Sequence, residues 1–118
     1  MKKKLLCLAL AGAMSMAAQA ADKVKVGFVS TLSGPGGILG VAIRDGFQLG
    51  IEHTGGKLGG LPVELLIEDD QQKPDVAKQL ADKLIKRDKV DFMTGIVFQN
   101  ILQAAQASVL GSETYYIS

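Results

Sequence analysis

The chain has 118 residues, 13 basic and 12 acidic side chains, a single cysteine and no tryptophan. That length holds one domain at most. A near-neutral balance with no basic stripe gives no footprint for nucleic acid.

The first 20 residues read as an export signal. Lys2, Lys3 and Lys4 form a basic start, Leu5 to Ala13 an apolar segment, and Ala18-Gln19-Ala20 a small-residue exit, placing the expected cut between Ala20 and Ala21. The apolar run is shorter than the roughly 20 residues a membrane span requires. Removing the three lysines from the 13 basic residues leaves ten against 12 acidic, a net of about −2. The lone Cys7 goes with the signal. It stands near the start of the apolar stretch rather than after it and lacks the small-residue context of a lipid-acceptor site, and the mature chain needs no disulfide.

Val24 to Ser30 is an apolar, β-branched run of strand length. Thr31 to Gly40 is expected to be a loop, with four glycines and Pro35. Ile43, Phe47 and Ile51 recur at helical spacing and predict a helix over Val41 to His53. Gly55-Gly56 and Gly59-Gly60 interrupt the chain, and Leu61 to Glu68 forms a second strand. After a polar loop, Pro74 suits the first position of a helix and Asp75 its first turn. Val76, Ala77, Leu80, Ala81, Leu84 and Ile85 make its apolar stripe, with Lys86 and Arg87 at its end. Val90 to Gly95 predicts a third strand, Ile101 to Leu110 a third helix, and Thr114 to Ile117 a fourth strand. This alternation predicts an α/β fold, a parallel sheet with helices on both faces. A parallel sheet seldom ends on an uncovered strand, so the chain is expected to be a fragment.

Few motifs carry chemistry. Loop 31–40 leaves a strand and enters a helix, the place where open α/β sheets bind ligands. Gly34 and Gly36 begin a dinucleotide-type pattern, but Leu39 occupies its third glycine position and Pro35 is foreign to it. No phosphate-loop lysine follows. Glu68-Asp69-Asp70 lacks the spacing of a calcium loop and is expected to be a solvated turn capping the next helix. His53 has no second histidine or cysteine to share a metal with. Ser30, Ser33 and Ser108 stand in no nucleophile-elbow context, so neither a catalytic constellation nor a cofactor is expected. Gln99 and Asn100 fall near the start of the third helix, where backbone N–H groups can receive a carboxylate; Asn100 could equally cap that helix.

Four segments together are similar to a known family: V-K-V-G-F-V-S-T-L-S-G-P from Val24, G-G-K-L-G-G-L from Gly55, E-D-D-Q-Q-K-P from Glu68 and K-V-D-F-M-T-G from Lys89. They resemble the amino-terminal part of periplasmic binding proteins of the branched-chain amino acid type, the receptors of ATP-driven importers. The resemblance spans residues 21–118 and implies the incomplete first lobe of a two-lobe, hinged receptor. It implies a periplasmic, monomeric protein that binds a small carboxylate and docks on a membrane permease. On the same footing, Ser33, Leu39, Phe98, Gln99 and Asn100 would contact the ligand. Relatives commonly carry serine at the Gln99 position and an aromatic at Leu39, so both depart from the pattern. The E-D-D-Q-Q-K-P segment looks closer to receptors of aromatic acids than to leucine receptors. An exported sensor domain, or a secreted enzyme on a similar sheet, are the alternatives that fold class leaves open.

Overall fold

The computed structural model describes residues 22–118. The expected export signal and its cleavage site at Ala20 and Ala21 lie outside the described residues.

Five strands and three helices follow in the order β1 (Val24–Ser30), α1 (Gly37–His53), β2 (Lys57–Leu58), β3 (Leu61–Asp69), α2 (Pro74–Lys86), β4 (Phe92–Thr94), α3 (Gln99–Leu110) and β5 (Tyr115–Tyr116). They make one sheet, ordered β2-β3-β1-β4-β5. β1 is central, parallel to β3 from Val24↔Val63 through Ser30↔Asp69, and parallel to β4 from Val26↔Phe92 through Phe28↔Thr94.

β1 divides its side chains between the two faces, as strand geometry requires. Phe28 turns to α1, its ring 5.5 Å from that of Phe47. Gly27 faces the other way; a Cβ there would stand 3.0 Å from Leu84 of α2 and 3.4 Å from Met93. Val29 joins Ala81, Leu84, Val90, Met93, Ala105 and Val109 in the buried core between the sheet and helices α2 and α3. Asp82 links the two helices electrostatically. Hydrogen bonds from Lys78, Lys86 and Ser108 hold its carboxyl well below the usual carboxylate range.

The α1 face is thinner. Val24, Val26, Phe47, Ile51, Leu58 and Phe92 border an apolar trough of about 690 Å³. Ile43 and Leu49 of α1 are 45% and 51% exposed, so the expected apolar side of this helix is only partly buried.

Three details differ from the sequence-based expectation. The sheet is not wholly parallel: β2 pairs antiparallel with β3 through Leu58↔Leu61 and Lys57↔Pro62. The two-residue connection, Gly59 (φ +57°) and Gly60 (φ +83°), has the left-handed pair of a tight hairpin turn. Helix α1 begins at Gly37 rather than Val41. Its first turn runs against the backbone leaving β1, where a Cβ on Gly40 would lie 1.9 Å from the Thr31 carbonyl oxygen. Finally, α3 begins at Gln99 rather than Ile101, with Phe98 as its N-cap residue.

Candidate functional site

Because β1, β3 and β4 are parallel, their carboxyl ends share one edge of the sheet, and three connections leave from it: residues 31–36, 70–73 and 95–98. Gly36 lies where they meet. A Cβ on Gly36 would stand 2.9 Å from the Phe98 ring and 3.0 Å from Gln72 Oε1. The absent Cβ leaves room here for the tips of the Phe98 and Gln72 side chains.

Two adjacent carboxylates fix this edge. Asp69 Oδ1 accepts the backbone N–H groups of Leu32 and Gln71, each at 2.9 Å. Burial pushes its pKa up, but hydrogen bonds from the Ser33 side chain and from the N–H groups of Leu32, Gln71 and Ser33 outweigh that and hold it below the ordinary aspartate value. Asp70 is fully buried. Its Oδ1 accepts from the Thr31 hydroxyl at 2.6 Å and from the Gln72 N–H at 2.8 Å. The expected solvated capping turn is thus corrected. The N-cap position of α2 is Lys73, which makes no side-chain cap, and the aspartates instead tie the second connection to the first. Their neighbour Glu68 belongs to β3 and pairs with Lys83 of α2. The spacing to an unrelated loop is invisible in sequence, which is why these roles escape a motif reading.

The five expected ligand contacts fall on this edge with different orientations. Ser33 is exposed, held by Asp69 and followed by a turn at Gly34 (φ +73°). Leu39 is 50% exposed in the first turns of α1. Phe98 turns toward Gly36, while Gln99 borders a groove of about 300 Å³ with Leu102, Gln106 and Tyr116. Gln99 and Asn100 are exposed at the first two positions of α3. Ile101 and Leu102 both give their N–H to the Phe98 carbonyl, at 3.1 and 3.0 Å. The N–H groups of Gln99 and Asn100 precede that ladder and point out of the helix end, where the helix dipole favours an anion. Asn100 does not cap the helix; that position belongs to Phe98.

The site offers shape, exposed amides and one aromatic face. Among the described residues no cluster of three potential metal ligands occurs. No helix of the described residues is long and apolar enough to cross a membrane.

Comparison with known proteins places this edge in a family. A family model described as "Periplasmic binding protein" matches residues 23–118. A Leu/Ile/Val-binding protein homolog 6 of Brucella abortus is 35% identical over 99 residues, covering 81% of this chain and 25% of the relative. The solute binding protein of an ABC transporter from R. palustris, solved in complex with benzoate, is 33% identical with a TM-score of 0.72, covering 80% of this chain and 27% of that one. A solute binding protein of Rhodopseudomonas palustris BisB5, in complex with 3,4-dihydroxy benzoic acid, is 28% identical with a TM-score of 0.77, over 80% and 26% of the two chains. The chain thus spans about a quarter of the length of the relatives it matches. These relatives are solute-binding proteins rather than enzymes. With the family match running across every strand and helix that forms the three-loop edge, the chain belongs to the periplasmic binding protein family.

Proposed function

We propose that this chain builds one wall of the ligand cleft in an exported solute-binding receptor of an ATP-driven importer, and that the ligand is a small carboxylate. The observation that carries the reading is the meeting of three strand-end loops at Gly36, with the Phe98 ring beside it and the open N-terminus of α3 next in the chain. In this reading the ligand carboxylate takes the N–H groups of Gln99 and Asn100. The ligand body lies along Phe98, with Ser33 and Leu39 on the opposite rim. The first 20 residues direct export and are removed between Ala20 and Ala21, and a membrane permease is the docking partner.

Two classes of carboxylate are supported, branched-chain amino acids by the Brucella relative's name and aromatic acids by the two solved complexes. An aromatic acid is the favoured occupant, because Phe98 presents a ring at the meeting point and E-D-D-Q-Q-K-P resembles the aromatic-acid receptors. Offset or edge-on contact between rings adds about 0.5–1.5 kcal/mol beyond burial. The test is calorimetric titration of the full-length gene product with leucine, isoleucine, benzoate and 3,4-dihydroxybenzoate. Saturable binding of at least one is expected. Absence of heat and of any thermal shift with all four would reject the receptor reading.

A further inference from the structure

The β3–α2 connection contains a feature that the expected contact set leaves out. Gln71 and Gln72 have φ of +53° and +57°, two consecutive non-glycine residues in the left-handed region. That conformation is uncommon for a side chain of this kind and costs energy at each position. It persists because both N–H groups are held by carboxylates, Gln71 by Asp69 and Gln72 by Asp70. The carbonyl of Asp70 also accepts the Lys73 N–H at 2.8 Å. Glycine or asparagine would meet the same backbone demand at lower cost. A glutamine kept there calls for a use of its side chain.

Its position supplies one. The Gln72 side chain is exposed, yet its Oε1 reaches the cradle at Gly36, on the spot where the Phe98 ring also arrives. Gly36 is thus flanked by a ring and an amide from two other loops. A glutamine amide both donates and accepts hydrogen bonds. A carboxylate accepts only, and the α3 terminus already provides donors for it. A hydroxyl both donates and accepts, so it uses both halves of the amide.

We propose that Gln72 is a specificity-determining residue of this site, its amide hydrogen-bonding a hydroxyl carried on the body of the ligand while Phe98 packs against that body. The proposal rests on the receptor reading above and adds the ligand subclass, hydroxylated over plain aromatic acids. Asp69 and Asp70 are positioning residues that hold Gln72 in its left-handed conformation. A site built to bond a hydroxyl discriminates strongly against the analogue lacking it, because the amide would be left unpaired.

The experiment compares Kd for 3,4-dihydroxybenzoate and for benzoate in the full-length gene product and its Gln72→Gly variant. Glycine relieves the left-handed strain, so the variant should melt at or above the wild-type temperature. The expected result is a wild-type preference for the hydroxylated acid that falls about tenfold or more in Gln72→Gly. Should that variant fail to fold, Gln72→Asn, which tolerates the same backbone but shortens the amide arm, takes the same ratio test. A ratio unchanged within threefold, with wild type binding both acids, overturns this proposal alone. A wild type that binds neither acid overturns it too, and failure with all four titrants removes the receptor reading with it.

Discussion

Asp69 Oδ1 accepts the backbone N–H of Leu32 at 2.9 Å across 37 positions of sequence. That single bond fastens the end of β3 to the loop that follows β1. With the Asp70–Thr31 bond beside it, the loop carrying Ser33 is held by two carboxylates as well as by its own turn, in which the Gly37 N–H donates to the Gly34 carbonyl at 3.0 Å.

The sign of the acid response follows from this pairing. Asp69 has a folded-state pKa below its ordinary value, so its bonds contribute fully at pH above the unfolded value of about 3.9. The contribution is lost as pH falls through the lower folded-state value. Asp69→Asn should flatten the acid limb of stability below about pH 4. Asp69→Ala should cost about 1.5–3 kcal/mol at neutral pH, the range for a hydrogen bond to a charged group. Urea unfolding of both variants from pH 3 to 7 checks this. An unchanged acid limb in Asp69→Asn would assign the acid sensitivity elsewhere.

Gly40 is a sharper constraint. Its added Cβ would meet the Thr31 carbonyl oxygen at 1.9 Å, carbonyl carbon at 2.7 Å and Ser30 Oγ at 2.8 Å. Backbone, not a flexible side chain, is the obstacle. Gly40→Ala should destabilise by at least the upper end of the ~1–3 kcal/mol typical of overpacking. Gly46→Ala, on the open side of α1 with nothing within 4 Å, should be neutral or stabilising because alanine is the better helix former. Paired denaturation curves decide, and equal behaviour of the two variants would contradict the close approach.

These constraints also mark what could be read from residues alone. β1 matches its expected bounds because a short valine-rich run, its last five residues buried, suits the centre of a sheet covered on both faces; α2 starts where Pro74 says it should, since a missing N–H is harmless at a helix start. The start of α1 was hidden because Gly36 and Gly37 read as breakers, whereas contact with the Leu32 and Thr31 backbone selects glycine at Gly37 and Gly40. β2 had a usable signal, a Gly-Gly pair between Leu58 and Leu61. The cross-loop roles of Asp69, Asp70 and Gln72 carried none: beside the local bonds to the Gln71 and Gln72 N–H groups, their partners Leu32, Thr31 and Gly36 lie on another loop, of which sequence proximity says nothing. The strand-end neighbourhood of the expected contacts was legible, but Leu39, Gln99 and Asn100 fall in the first turns of helices rather than in loops, and orientation was not legible, as the divergence of Phe98 and Gln99 demonstrates.

A polypeptide limited to residues 22–118 should associate. β5 lies at one edge of the sheet, with Tyr115 69% and Ile117 57% exposed, and the trough beside α1 is lined with apolar side chains. Edge strands with unpaired backbone groups recruit other strands, and exposed apolar surface adds to the drive. Sedimentation velocity should show mass increasing with concentration, together with binding of an apolar dye. Ile117→Lys, placing a charge at the edge, should reduce the association. A concentration-independent monomer would refute the expectation.

The final prediction separates backbone from side chain at the α3 terminus. Gln99 is the first residue of the helix, and its side chain borders the groove beside Tyr116 rather than the Gly36 cradle. If a carboxylate is received there, the Gln99 N–H is one of its two backbone donors, beside that of Asn100. Proline removes that donor and suits the first helical position, because the N–H has no intrahelical acceptor to lose. The residue before a proline must be extended, and Phe98 already is, at φ −103° and ψ +137°. Gln99→Pro should therefore retain the fold, with a melting temperature within a few degrees of wild type, yet weaken carboxylate binding by about 1.5–3 kcal/mol. Gln99→Ala, which keeps the N–H, should weaken it less. Glu68→Ala is the control: its partner is Lys83 on α2, so it should shift stability by about 0–1 kcal/mol and leave affinity alone. Titration of the three variants in the full-length gene product, with whichever carboxylate the wild type binds, gives the ranking. If Gln99→Ala costs as much as Gln99→Pro, the side chain carries the contact and must leave its groove to do so; if neither costs anything, the α3 terminus is not the carboxylate site.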